Sequence, residues 1–297
     1  MIKKTALVGI ALLAILTNLP LLAQMNKAYD LAGKMVRSKL EQEDAQNIKI
    51  LDNLNEADII VVSGTYDHIH QVLESMHIPY LSISQEQVLQ AELKPFHTVF
   101  VNCASSFPAE AAHKLAAFVQ SGGQLITTDW ALKNVLEVAF PHTVAYNNKP
   151  TQDEVVKITV HDTTDHAVAS FVEEKTDPVW WLEGSSYPIQ ILDKERVKVL
   201  VKSQELKDKY GEEAVIVRFE YGKGRVYHMI SHFYLQRTEA KVAKQALEAE
   251  EYLKEMNASE DVLKDAEKNQ VTYGEMQSAN RSADFVTRVI IHQAKKK

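Results

Sequence analysis

The sequence predicts an α/β protein: a mostly parallel central sheet in a three-layer sandwich, then a late β-hairpin and a helical excursion towards the C-terminus. Three observations carry that expectation. Between residues 57 and 140 short apolar runs alternate with amphipathic segments, the pattern of right-handed crossovers in a sheet covered on both faces. Tyr221-Gly222-Lys223-Gly224 separates two apolar runs, as a tight hairpin turn does. From Thr238 to about Gln270 the chain is rich in Ala, Glu and Lys and poor in β-branched residues, the composition of a solvated helical segment.

Taken in order, residues 26–47 space Ala28, Leu31, Ala32, Met35, Val36 and Leu40 three to four apart, which predicts an amphipathic lead-in helix. Ala57–Gly64 reads as the first buried strand, an apolar run stopped by Gly. His68–Met76 puts Ile69, Val72, Leu73 and Met76 on one helical face, and Ile78-Pro79 closes it. Tyr80–Ile83 is a second strand, Gln85–Ala91 a short helix and His97–Val101 a third strand. Pro108–Gln120 opens on Pro and ends on Gly122-Gly123, the asymmetry of a helix. Gln124–Thr127 is the fourth strand, followed by a helix over Ala131–Phe140.

Past Pro141 the chain turns β-rich, with strands over Val155–Val160 and Val197–Val201 and a hairpin of Ala214–Glu220 with Arg225–Ile230. A terminal helix over Ala283–His292 carries Phe285, Val286, Val289 and Ile290 before the basic tail Lys295–Lys297. The expected organisation is a leader over 1–23, a lead-in over 24–55, an α/β domain over 56–237, a charged helical insertion over 238–274 and a terminal helix over 275–297.

Composition bounds the function. With 297 residues, 45% hydrophobic and 25% charged, the chain has the make-up of a soluble globular protein with a substantial core. Its 33 Lys+Arg against 40 Asp+Glu give a formal charge of −7, which disfavours nucleic acid as a partner. A single cysteine, Cys103, removes a disulfide framework and a Cys-based zinc or iron–sulfur site, so no cofactor and no metal is expected.

Met1–Ala23 has Lys3 and Lys4, an apolar stretch over Thr5–Leu16, then Asn18, Pro20 and Ala23: a bacterial-type secretory signal with cleavage after Ala23. The mature chain is then periplasmic or secreted, with 31 basic against 40 acidic residues and a charge of −9. Left uncleaved, the same stretch is a membrane anchor, the one membrane contact the sequence provides for.

In open parallel sheets ligands sit at the carboxyl ends of strands. That nominates Gly64-Thr65-Tyr66-Asp67-His68, Asn102-Cys103-Ala104-Ser105-Ser106, Thr127-Thr128-Asp129-Trp130 and Ser231-His232-Phe233-Tyr234 as walls of one cleft. Cys103 is either a nucleophile beside Asn102 and Ser105 or a buried small hydrophobe. Asp129 either caps a helix or works with His232 as acid/base partner, nucleophile or ligand; the acid/base reading requires a separation of about 2.6–3.2 Å, or one bridging water.

His68 and His70 diverge on a helix and do not chelate together, so a metal would need His68, Asp129 and His232 as a set. Trp180 and Trp181 fall in an aromatic stretch from Asp177 to Pro188, expected to be a loop. There they either line a rim for sugar or peptide or cap the core.

Val99–Cys103, the helix through Val119, and Gly122-Gly123-Gln124-Leu125-Ile126-Thr127-Thr128-Asp129-Trp130 together resemble the core of class I glutamine amidotransferase-like domains. ThuA-like (trehalose-utilisation-type) proteins share this flavodoxin-like arrangement. The resemblance covers about residues 56–140 and 214–235. It implies a nucleophilic Cys on a sharp elbow after the fourth strand and a His after a later one. Here Asp129 holds the elbow position and Val226–Ser231 delivers His232, followed by Phe233-Tyr234 where the family has Pro-Glu. Without a thiol at the elbow, glutaminase activity is not expected.

The leading expectation is therefore an exported, non-catalytic binding or scaffold protein that presents Tyr66, His68, Asn102, Trp130, Trp180 and Trp181 to a small polar ligand or a protein partner. The alternative is a hydrolase or carbohydrate-modifying enzyme of ThuA-like type with Asp129 and His232 as the acid/base pair. A third reading is assembly into a homo-oligomer through the helices over 239–269.

Overall fold

The computed structural model describes residues 25–174, 178–233 and 240–297. The leader over 1–23 and Asp177, Tyr234, Thr238 and Glu239 lie outside the described residues. Helix α1 (residues 25–43) buries all six apolar positions that its spacing marks, Ala28 to Leu40. Helix α2 (Ala45–Asp52) follows, its first turn capped by Asp44, which accepts from the Gln46 amide.

Strands β1 (Ile59–Val62), β2 (Leu81–Ile83), β3 (Thr98–Val101) and β4 (Gln124–Thr128) pair in parallel in the order β2-β1-β3-β4. Every residue of β1, β3 and β4 is buried, which is why β1 and most of β3 read as apolar runs without alternation; in β4 the buried Gln124, Thr127 and Thr128 are polar. The crossovers carry α3 (Ile69–Ser75) and α4 (Ala109–Ser121). Gly122 ends α4 at φ +128°, a backbone conformation that costs a residue with a Cβ but not Gly.

A π-helical turn, Leu132–Leu136, and the short α5 (Glu137–Ala139) replace the single helix expected there. The chain then makes β5 (Val144–Tyr146), β6 (Glu154–Lys157), β7 (Thr159–Val160), α6 (Ala169–Glu173), β8 (Val179–Leu182), β9 (Ile189–Ile191), β10 (Lys198–Lys202), α7 (Gln204–Tyr210), β11 (Ala214–Tyr221) and β12 (Gly224–Met229). The hairpin β11–β12 forms as its turn predicts, with Gly222 at φ +60°.

Strand β12 lies beside β4 in parallel, so the main sheet runs β2-β1-β3-β4-β12-β11-β10-β7. It is parallel from β2 through β12 and antiparallel beyond. Strands β6 and β8 form a separate antiparallel ribbon. The result is a mixed α/β protein with a largely parallel central sheet.

Helices α8 (Ala249–Glu255) and α9 (Glu260–Asn269) confirm the helical character of the charged segment, but it is only half solvated: Tyr252, Leu253, Val262 and Ala266 are buried. The terminal helix α10 (Tyr273–Ala294) has 22 residues and begins ten positions before the predicted Ala283. Its first half hides from a periodicity search because Gln277, Ser278, Asn280, Arg281 and Asp284 are polar and buried. Each is spoken for. Arg281 pairs with Glu174 and donates to the Val179 carbonyl, and Asn280 donates to Tyr252 at 2.9 Å. Among the described residues no helix is long and apolar enough to cross a membrane.

Candidate functional site

The carboxyl ends of β1, β3, β4 and β12 converge, as the parallel topology requires. Gly64 makes the approach possible: a Cβ there would lie 2.7 Å from the Asn102 carbonyl carbon. The loop after β1 therefore rests on the loop after β3, where the Thr65 amide donates to the Cys103 carbonyl at 2.7 Å. Asp67, from the same loop, is buried and accepts from Thr128 Oγ1 at 2.8 Å and from the Phe233 amide at 3.3 Å. It ties three of the four strand ends together.

Asp129 occupies a sharp bend after β4 at φ +46°, and Ser231 after β12 and Ser185 in the facing loop adopt the same left-handed region at +64° and +69°. Non-glycine residues are held there only when their surroundings enforce it, commonly at functional sites. The Asp129 side chain does not cap a helix, which corrects one of the two sequence readings. Its Oδ1 accepts from the Tyr187 amide and its Oδ2 from Ser186 Oγ, both at 2.8 Å. Ser186 and Ser231 share a hydroxyl contact at 2.9 Å, and Ser231 Oγ accepts from the Glu183 amide at 3.0 Å. The aspartate is a latch for the loop over 183–187.

His232 lies between two carboxylates: Nδ1 is 3.1 Å from Glu183 Oε2 and Nε2 is 3.6 Å from Asp129 Oδ2. The second separation exceeds the 2.6–3.2 Å of a direct proton relay. Burial disfavours the imidazolium, but the adjoining Cys103 and Glu183 and the charge of Asp67 outweigh it and raise His232 well above its ordinary value. Burial also pushes Asp129 up to about 6, against the opposing pull of His232 and its two hydrogen bonds.

Cys103 is 1% exposed, and burial pushes its thiol up, the opposite of what a nucleophile needs. Its Sγ lies 4.0 Å from Asp129 Oδ2. The donor atoms of Cys103, Asp129 and His232 all fall within 4.8 Å of one another; His68 is not among them, so the metal set considered from sequence is not the one the fold assembles.

Beside this cluster runs a row of aromatic rings. Tyr66, 56% exposed, meets Trp130 edge-on at 5.3 Å; Trp130 lies 6.0 Å from Tyr187, and Tyr187 stacks on Tyr146 at 3.8 Å. Trp130 is fixed by its Nε1, which donates to the Ser185 carbonyl at 2.8 Å. His68 is half-buried next to His70, and burial together with that neighbour holds it below its ordinary value. Asn102 is buried beneath the loops and is not a surface contact.

Trp180 and Trp181 are not on the rim, and the stretch that holds them is not a loop. Both lie in β8, 6% and 4% exposed, with Trp180 Nε1 donating to the Ile230 carbonyl at 3.0 Å. Successive strand residues face opposite sides. Here both sides are covered, Trp180 by the main core and Trp181 by a small cluster with Val155 and Val179. Sequence reasoning also missed Glu183, Ser186 and Tyr187 as site residues, and placed Asp67 only within a wall of the cleft. The one available signal was Glu183-Gly-Ser-Ser-Tyr187, a charged residue at a strand end before a turn.

No protein-family model and no curated protein matches the chain. Solved structures with a related backbone include a β-galactosidase from Bacillus circulans sp. alkalophilus, 14% identical, with a TM-score of 0.41 over 63% of this chain and 31% of that one. A cytoplasmic protein of Salmonella typhimurium is 10% identical, with a TM-score of 0.41 over 59% and 87%. The carbohydrate deacetylase Agd3 is 15% identical, with a TM-score of 0.43 over 58% and 29%. This chain spans under a third of the galactosidase and of the deacetylase. A likeness of that degree says nothing of activity.

Proposed function

We propose that the protein is an exported, flavodoxin-like binding protein related to amidotransferase-like domains, and that its strand-end face takes a small polar ligand with a flat apolar side, best met by a saccharide. The observation that carries this reading is the aromatic row Tyr66–Trp130–Tyr187–Tyr146 set beside the buried polar cluster of Asp129, Glu183 and His232. Flat rings beside fixed hydrogen-bonding groups are how proteins hold molecules with one apolar and one polar aspect. Supporting the relationship is the bend at Asp129 directly after β4, with β12 parallel beside it and His232 at its end. Export rests on Lys3, Lys4 and the apolar stretch that follows.

Binding without turnover is supported by how the reactive groups are used. Both Asp129 oxygens already accept hydrogen bonds and the only thiol is buried. A thermal-shift screen against mono- and disaccharides and dipeptides, followed by product analysis on every hit, tests the reading. Stabilisation by sugars with no product is expected; turnover lost in Asp129→Asn overturns it.

That second outcome is the hydrolase reading, and one observation favours it: Asp129 and His232 face each other at 3.6 Å. A closure of about 0.5 Å would bring them into proton-transfer range.

A further inference from the structure

The imidazole of His232 has one nitrogen in a close contact and one held only loosely. Nδ1 is held by Glu183, whereas Nε2 is buried, has no partner at hydrogen-bond geometry among the described residues, and is directed at Asp129, 3.6 Å away, and Cys103. The side chain is 5% exposed. A buried nitrogen left unpaired in a polar cluster costs free energy unless something fills the gap.

We infer that Cys103, Asp129 and His232 form a binding site for a divalent transition-metal ion of the zinc class. The distances fit. Tetrahedral zinc with Zn–S about 2.3 Å and Zn–N and Zn–O about 2.0–2.2 Å puts N and O about 3.4 Å apart and S and O about 3.6 Å apart. The separations here are 3.6 Å from Nε2 to Oδ2 and 4.0 Å from Sγ to Oδ2, each within reach of a small side-chain adjustment.

The surrounding contacts are those of a metal site. Glu183 on Nδ1 orients the imidazole so that Nε2 faces the centre, the carboxylate–histidine arrangement typical behind zinc ligands. Ser186 and the Tyr187 amide hold the Asp129 carboxylate in turn. Thiolate and carboxylate neutralise a dication, and binding releases the thiol proton of Cys103 and the imidazolium proton from Nε2 of His232.

A thiolate, an imidazole and one carboxylate oxygen favour zinc or cobalt over calcium or magnesium, which take oxygen ligands. Three protein ligands leave a fourth position for water or a ligand atom. The single cysteine excludes sites built on several thiolates; it does not exclude this mixed one. The inference shares Asp129, Glu183 and His232 with the saccharide reading, but its test reads the thiolate and the ion, so either can fail without the other.

The test is cobalt(II) titration of chelator-treated full-length protein. Because Cys103 is the only thiol, a thiolate-to-cobalt charge-transfer band saturating at one equivalent reports this site alone. The band is expected in the wild type and absent in Cys103→Ser. Affinity is expected to fall at least about tenfold in Glu183→Gln, which removes only the outer support.

X-ray absorption of the zinc-loaded wild type needs no variant, and one sulfur at about 2.3 Å is expected. No charge-transfer band, a first shell of nitrogen and oxygen alone, or stoichiometric binding unchanged in Cys103→Ser would each overturn the inference.

Discussion

Nε2 of His232 stands 3.6 Å from Oδ2 of Asp129, and neither group is free to leave: Glu183 holds the imidazole at 3.1 Å, and Ser186 and Tyr187 hold the carboxylate at 2.8 Å each. Polar groups fixed in this way by the scaffold need little reorganisation when a ligand or ion arrives.

The latch at Asp129 can be measured separately from any function. Asp129→Asn keeps an acceptor for the Tyr187 amide and is expected to cost about 1 kcal/mol. Asp129→Ala strands both donors and is expected to cost about 2–6 kcal/mol, at about 1–3 per buried unsatisfied group. Urea unfolding of the two variants should separate them in that order.

A second prediction concerns the buried pair of Glu174 and Arg281, each 1% exposed at its side chain. Arg281→Ala leaves a carboxylate in the core and is expected to destabilise by about 3–5 kcal/mol. Replacing both partners by apolar residues of similar volume should cost markedly less. Denaturant midpoints of the single and double variants decide this.

Acid sensitivity follows from His228, fully enclosed in β12, whose pKa burial pushes down to about 3 from 6.5. The native state keeps this imidazole neutral while the unfolded chain protonates it. Its contribution to stability is therefore complete above about pH 6.5 and is lost as the pH falls towards 3. The slope from this one group approaches about 1.4 kcal/mol per pH unit within that window. Unfolding midpoints should drop between pH 7 and pH 5, and less steeply in His228→Gln.

The tryptophans divide by role. Trp180→Phe removes the bond to the Ile230 carbonyl and is expected to cost about 1 kcal/mol without changing ligand binding. Gly64→Ala is expected to do the reverse of a neutral surface change. Its Cβ would force apart the loops bearing Asp67 and Cys103, so both the melting temperature and ligand affinity should fall.

The parallel half of the fold was legible because strands buried on both faces leave solid apolar runs, and Pro108 and Gly122 punctuate α4. The strand ends then nominated Asp129, Trp130, His232 and Tyr66 correctly as neighbours, since topology alone brings them together. What the sequence hid depends on long-range partners. β8 hid inside an aromatic stretch read as a loop, because nothing local tells that both its faces are covered. The first half of α10 hid because its buried polar residues are satisfied by distant groups such as Glu174 and Tyr252. Glu183 escaped for the same reason: its partner is 49 residues away, and only the fold brings it to Nδ1 of His232.

The central claim is that the aromatic row beside the Asp129–His232 cluster is where this protein holds its ligand. Calorimetric titration of saccharides into wild type and Tyr66→Ala addresses it most directly, because Tyr66 is 56% exposed and its loss leaves the core intact. The account predicts saturable binding in the wild type, weakened about tenfold in the variant, equivalent to about 1.4 kcal/mol. Saccharides that fail to bind the wild type, or bind the variant equally well, would contradict it.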